Sequence, residues 1–294
     1  MTYLSRVRIN PLRAASRTLL ANPRALHGAV TAGNPDTAPG DRILWRLDTD
    51  HPRRPVLLVL TPSKPDWTHI VEQAGWPDAD GEHYAIRDYS PLLGRLAAGR
   101  EFAFRLKASP VQNTSTPDKA SPHRTKTADQ LHHRSYRMPH RTAAHQLTWF
   151  LDRTTRWGFT IPEAHTDHPA PGLEPSAPDT PADAPPAREV RITDRSRSTF
   201  TKPGTRTPVT LTTATFEGHL RITDPGLLQA ALLGGIGPSK AYGCGLLTLA
   251  PPPTAHRNPL TDGRRSAVGG LTVWDPHGQV RPAPAVPPKA SDLW

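Results

Sequence analysis

Residues 235–245, GIGPSKAYGCG, hold four glycines and a single lysine, Lys240. Glycine adopts positive φ freely and lets another molecule approach the main chain. Bare N–H groups beside one cation suit an anion, phosphate first. A Walker loop would place Ser or Thr after the lysine, and Ala241 stands there. The dinucleotide fingerprint joins a strand to the helix after it. Here a helical stretch, DPGLLQAALLGG, precedes the loop and a strand-like run, GLLTLAP, follows it. The loop is therefore neither of these nucleotide pockets.

His27 is the best-placed acid–base group. It sits in PRALHGAVTA, about 100° around from Leu26, at the edge of a predicted buried stripe of Leu26, Ala29 and Val30. Imidazole titrates near neutrality and is the usual proton donor or acceptor in catalysis. By position alone an ordinary helix-flank histidine fits it better. His132, His133, His140 and His145 are close in sequence, but they lack cysteines or carboxylates at metal-ligand spacing. The acids are scattered and form no paired-carboxylate constellation. The sequence thus predicts no metal and no cofactor. If the chain cuts a nucleic acid, RNA supplies its own nucleophile, the 2′-hydroxyl.

Charge points to the same partner. Lys and Arg total 36 against 26 Asp and Glu, a net charge of +10. Such an excess suits a polyanion, nucleic acid before membrane surface. Met1 to Val30 holds five Arg and no acid, and 188–206 holds Arg188, Arg191, Arg195, Arg197, Lys202 and Arg206 against two acids. The second cluster lies on a predicted hairpin, REVRITDRSRSTF–KPGT–TPVTLTT. Arginines there can pair with backbone phosphates; a charged edge strand kept from aggregating is the alternative. The one cysteine, Cys244, allows neither an intrachain disulfide nor a thiolate zinc cluster. No apolar run approaches the ~20 residues of a membrane span, and the N-terminus lacks a signal-peptide core. These features predict a cytoplasmic protein with no membrane partner.

The elements that must position these groups read twice in one order. YLSRVRIN is a strand with Tyr3, Val7 and Ile9 on one face and Arg6 and Arg8 on the other. Asn22-Pro23 opens a helix that can stop at Gly33. Strands RILWRLD and PVLLVLT, a helix around WTHIVEQAG and a strand HYAIRDYS complete β-α-β-β-α-β. EFAFRLKAS then starts again, with Phe102, Phe104 and Leu106 inward and Arg105 and Lys107 outward. Residues 109–141 read as a polar loop. AAHQLTWFLDRTTRWG is an amphipathic helix with Ala144, Leu147, Phe150 or Leu151 and Thr154 on its stripe. Strands REVRITDRS and PVTLTTATFEGHLRI, helix DPGLLQAALLGG and strand GLLTLAP follow. The prediction is an α+β chain of two tandem ferredoxin-like (βαββαβ, RRM-like) domains, 1–97 and 98–250. The Pro-rich segments 163–187 and 251–294 read as a disordered insertion and tail, with VGGLTVW in the tail as a short strand or docking segment.

Gly235-Ile236-Gly237, five residues including a cation, then Gly243-Cys244-Gly245 resembles the signature loop of the RAMP superfamily of CRISPR-associated proteins. GIGPSKAYGCGLLTLAP, together with YLSRVRIN, ANPRALHGAV, ILWRLD, the PDW at 65–67, FRLKASP and FEGHLRITDP, is similar in content and order to the CasE family. These are the CRISPR RNA-processing endoribonucleases of type I-E Cascade systems. The resemblance spans residues 1 to about 250 apart from 163–187.

The resemblance implies tandem ferredoxin-like domains and metal-independent cleavage of the CRISPR repeat RNA stem-loop in the precursor transcript. The 2′-hydroxyl attacks the adjacent phosphate, leaving a 2′,3′-cyclic phosphate and a 5′-hydroxyl. The protein then stays on the mature RNA and joins the Cascade backbone subunits. The family's catalytic histidine matches His27, as general acid to the leaving 5′-oxygen, with general base left open and Arg24 as an assisting cation. RNA contacts are expected at Gly235, Gly237, Ser239, Lys240, Gly243 and Gly245, and at Arg191, Arg195, Arg197 and Lys202. Two departures stand out. Arg24 occupies the place of a tyrosine found in some relatives, and no basic residue follows His27 before Arg42. The alternative is a non-catalytic RNA-hairpin-binding subunit of the same fold with His27 idle. A general RNA-recognition module would need stacked aromatics on a strand, and none is evident.

Overall fold

A computed structural model describes residues 1–35, 38, 40–77, 81–114, 136–164, 186–201 and 208–252. Lys202, the VGGLTVW stretch and the bulk of 163–187 and 251–294 lie outside these residues.

The first half runs Tyr3–Arg8 (β1), Ala14–Ala21 (α1), Pro23–Ala32 (α2), Leu44–Asp48 (β2), Val56–Thr61 (β3), Thr68–Ala74 (α3) and Tyr84–Asp88 (β4). The strands form an antiparallel sheet in the order β2-β3-β1-β4, the ferredoxin-like arrangement. Val7 and Ile9 enter a core with Leu26, Val30 and Trp67. On the other face Leu4 packs into the core of the second half. The Asn22 side chain caps α2 by accepting from the Arg24 N–H, with Pro23 in the first turn. Helix α1 was not legible in the sequence because it has no capping side chain. Tertiary contact holds it: Ser16 is buried and its hydroxyl donates to the Ala74 carbonyl at 2.9 Å.

After a short helix, Ser90–Leu93 (α4), the second half runs Glu101–Ala108 (β5), Val111–Thr114 (β6), Tyr136–Pro139 (β7), Ala143–Leu151 (α5), Phe159–Thr160 (β8), Val190–Thr201 (β9), Pro208–Ile222 (β10), Pro225–Gly234 (α6) and Leu247–Ala250 (β11). The sheet order is β11-β5-β10-β8, with β9 also paired to β10. Strands β8 and β9 are one edge strand, interrupted where the chain leaves and returns at a Glu163–Arg188 bridge. The βαββαβ order is thus repeated. Phe102, Phe104 and Leu106 point inward, and Phe150 of α5 stacks on Phe216 and Phe104 at centroid distances of 4.7 and 5.6 Å.

Three expectations need correction. Residues 109–141 are not all loop: β6 and β7 pair as a hairpin, which the sequence hides because each strand is only four residues long and sits at the edge of a long polar stretch. The buried stripe of α5 is Gln146, Trp149 and Phe150, while Ala144 is exposed. Gln146 is tolerated there because its amide donates to the His140 carbonyl and its oxygen accepts from Arg195. Arg105 does not point to solvent. It is 7% exposed, because the sheet face it occupies is covered by the first half; Lys107 beside it is half-buried.

Candidate functional site

Arg46 joins the two halves. It is 1% exposed, and its guanidinium donates to Asp48 (2.7 and 2.9 Å), the carbonyls of Arg105 (2.8 Å) and Leu246 (3.2 Å), and the Thr248 hydroxyl (2.9 Å). Arg105 meets Asp50 in a two-pronged contact and Asp48 at 3.5 Å. Its Nε lies 2.8 Å from Glu217 Oε1, an ion pair without an aligned hydrogen bond. Burial opposes the charge on Arg105, but the Asp50 hydrogen bond and the Asp48 and Glu217 charges hold its pKa above the ordinary value. A buried charge network of this kind is stable only while every member is paired.

On this joint sits the glycine-rich loop. All four of its glycines have positive φ. A Cβ at Gly235 would stand 2.6 Å from Leu44, one at Gly243 2.6 Å from the Trp45 ring, and one at Gly245 2.8 Å from the Ile236 carbonyl. The bare backbone therefore already has a role within the protein: it lets the loop seat on β2. Ser239 is the one non-glycine with positive φ among the described residues, at 65°. Such a conformation costs an L-residue roughly 1–2 kcal/mol, and outliers of this kind gather at functional sites.

From Ser239 the chain makes a 3-10 turn, Lys240–Tyr242, that packs against α2 and β2. This contact brings Lys240 to the helix that carries His27, from the far end of the chain. Lys240 titrates below the ordinary lysine value, first through burial and then through the nearby charge of Arg42. His27 is half-buried, its Nδ1 is enclosed without a hydrogen-bond partner, and burial lowers its pKa from 6.5. Arg24 is exposed on the same helix. Arg42 is a cation that sequence reading did not select, because only the docking of the loop on β2 brings it to Lys240. Nothing in the sequence marks Tyr242 either. It meets Phe200 edge-on at 4.9 Å, tying the turn to β9.

The arginine-rich hairpin forms as β9 and β10, but its cations do not share one face. Thr215 pairs with Asp194 and Phe216 with Ile192, so Thr193 is an extra residue, a bulge that reverses the alternation. Arg195 and Arg197 lie opposite Ala214 and Thr212, whereas Arg191 lies opposite Glu217 and pairs with it at 3.5 Å. Arg195 donates to Gln146 (2.8 Å) and to the Arg141 carbonyl. Arg197 is exposed. Among the described residues no three His, Cys, Asp or Glu side chains gather into a group that could hold a metal ion.

The family model described as "CRISPR associated protein" matches residues 2–251. The chain belongs to this family. The CRISPR-associated protein is 28% identical over 255 residues to the CRISPR-associated endoribonuclease Cse3 of Thermus thermophilus, covering 85% of this chain and 100% of that one. It is also similar to the solved structure of Thermus thermophilus Cse3 bound to an RNA representing a pre-cleavage complex: 25% identity, 85% and 99% of the two chains, TM-score 0.60. A structure of Cse3 bound to a 19-nucleotide RNA, at 24% identity, has the same coverage and a TM-score of 0.59, a likeness of fold. Among the described residues of this CRISPR-associated protein, no helix is long and apolar enough to cross a membrane.

Proposed function

We propose that this CRISPR-associated protein is an endoribonuclease that cuts repeat-RNA hairpins in the CRISPR precursor transcript and remains on the product as a Cascade subunit in the cytoplasm. The observation that supports the site assignment is the packing of the Lys240–Tyr242 turn against α2, which puts the turn that carries Lys240 beside the helix that carries His27. The endoribonuclease name of its Thermus thermophilus relative supports the reaction class. We take 1–97 and 98–250 as its two domains, with the site at their joint.

In this reading the RNA 2′-oxygen forms a bond to the scissile phosphorus and the bond to the 5′-oxygen breaks. His27 gives its proton to that leaving oxygen, and the 2′-hydroxyl proton passes to water. Lys240, Ser239 and the bare backbone from Gly235 to Gly245 hold the phosphate, and Arg24 and Arg42 add positive charge. Arg195 and Arg197, which share one face of the β9–β10 hairpin, and Lys202 grip the stem through its phosphates, as expected for double-stranded RNA, while Arg191 on the other face stays with Glu217. No metal takes part.

One observation favours a second role for the same residue. The His27 Nδ1 is enclosed without a hydrogen-bond partner, and burial lowers the pKa from 6.5, which favours the neutral ring that a general base requires. A repeat hairpin with sulfur in place of the bridging 5′-oxygen separates the roles, because a thiolate leaves without a proton. His27→Ala should slow the ordinary hairpin by roughly 10²–10⁴-fold in EDTA, with RNA affinity retained, and should recover on the sulfur hairpin. No recovery assigns the base role. Wild-type cleavage by His27→Ala, or EDTA inhibition that Mg²⁺ reverses, overturns the mechanism.

A further inference from the structure

The C-terminal end of α2 is held from outside the helix. The Gly33 N–H turns to the carbonyls of Val30 and Thr31, so the Ala29 carbonyl lacks its usual donor four residues on. His69, at the start of α3, stands in for it: its Nε2 lies 2.8 Å from the Ala29 oxygen. A carbonyl only accepts, so that ring nitrogen carries the proton.

The surrounding contacts pin the same end. The Asp66 N–H donates to the Gly33 carbonyl at 2.9 Å. Trp67 is fully buried and lies so close that a Cβ on Gly33 would stand 2.4 Å from its ring. Gly33 is right-handed at φ −77°; the tryptophan, not the backbone conformation, requires glycine there. The Asn34 amide donates to the Ser63 hydroxyl at 2.7 Å. The Pro65-Asp66-Trp67 segment is thus the dock for α2, and His69 is the latch on it.

We propose that His69 is a positioning residue for cleavage: its hydrogen bond to Ala29 fixes the rotation of α2 and so the aim of His27 at the phosphate on the glycine-rich loop. The inference rests on the endoribonuclease reading above. Ala29 is two residues beyond His27 on the same helix, and the His27 carbonyl accepts from the Thr31 hydroxyl one turn on at 2.9 Å, so a turn of α2 about its axis carries His27 with it. Misplacing a reacting group by an ångström costs on the order of 10²-fold in rate. RNA affinity rests mainly on cations outside α2 and should change little.

The test uses the full-length protein and a synthetic repeat hairpin. His69→Phe keeps the ring volume and removes the donor, whereas His69→Gln keeps an N–H at similar reach. Cleavage is timed at saturating protein in single turnover, beside the dissociation constant and melting temperature of each variant. We expect His69→Phe to cleave at least about tenfold more slowly with affinity within about twofold, and His69→Gln to recover most of the loss. Wild-type rates in His69→Phe while His27→Ala is inactive overturn the positioning role alone. A loss of binding equal to the loss of rate also overturns it. Wild-type rates in His27→Ala overturn the underlying reading instead. If His69→Phe does not fold, His69→Asn, whose amide is too short to reach Ala29, replaces it, and equal rates for Asn and Gln variants overturn the proposal.

Discussion

His27 has a second measurable property besides its place on α2. Burial penalises the imidazolium form and lowers the pKa from 6.5. The unfolded chain then holds the proton more tightly than the folded one, so stability declines as pH falls through 6.5 towards the lower folded value. His140 acts in the same direction, through burial first and then through His145 and Arg153. The melting temperature should therefore drop between about pH 7.5 and about pH 5.5. His27→Phe should remove part of that drop and leave the share due to His140. Scanning fluorimetry of both proteins across the range checks this, and identical slopes would mean that the His27 ring is not desolvated. At this scale the sequence was informative where a residue's surroundings are local. His27 could be placed at the edge of a helical stripe from its neighbours alone. Arg105 could not be placed, because strand alternation cannot reveal that a second sheet covers the outward face. Nor could Arg191 be separated from Arg195 and Arg197, since one bulged residue, Thr193, decides which face each takes.

Elements with their own end signals were legible: Asn22-Pro23 opens α2 and Asp224-Pro225 opens α6, each with the side-chain cap formed. Helix α1, held by remote contact, and the β6–β7 hairpin, whose short strands pair with each other, were not. The glycine-rich loop lies between these cases, because its motif was plain but its packing was not. Gly243→Ala tests the packing. It forces a side chain into φ +77° and against Trp45, costing on the order of 3 kcal/mol from backbone strain and overpacking together. It should also push the Lys240–Tyr242 turn off α2 and slow cleavage. Gly234→Ala is the control: a Cβ there meets nothing within 4 Å, so stability should hold or rise slightly. Urea unfolding of the two variants, paired with single-turnover cleavage, separates the effects. Equal stability of the two would mean that the loop is not seated on β2.

For the whole molecule, the question is what makes two ferredoxin-like units behave as one. Apolar contact contributes, since Leu4, Leu44, Leu58 and Leu60 of the first sheet lie in the core of the second unit. Arg46 adds specificity, because its donors reach Asp48 on its own strand and three acceptors across the joint. Removing one partner of a buried ion pair typically costs about 3–5 kcal/mol. Arg46→Ala should lose about that much and let the two halves unfold in separate steps, visible as a second transition in guanidinium. One coincident transition with unchanged midpoint would mean that the apolar contact alone joins them.

The interrupted edge strand bears on how the molecule tolerates change in length. Where the chain departs from β8 and returns to β9, the Ala164 N–H donates to the Ala187 carbonyl at 2.8 Å and the Glu189 N–H to the Pro162 carbonyl at 3.0 Å. The stretch between begins and ends at one hydrogen-bonded rung of a hairpin. Its length is thereby uncoupled from the sheet, because the cost of closing a loop grows only with the logarithm of its length. The rung works as a socket: a two-residue Asn-Gly turn, a fluorescent label or a whole reporter domain can be fitted there. Strand pairing, the Arg46 joint and the glycine-rich loop would keep their registers.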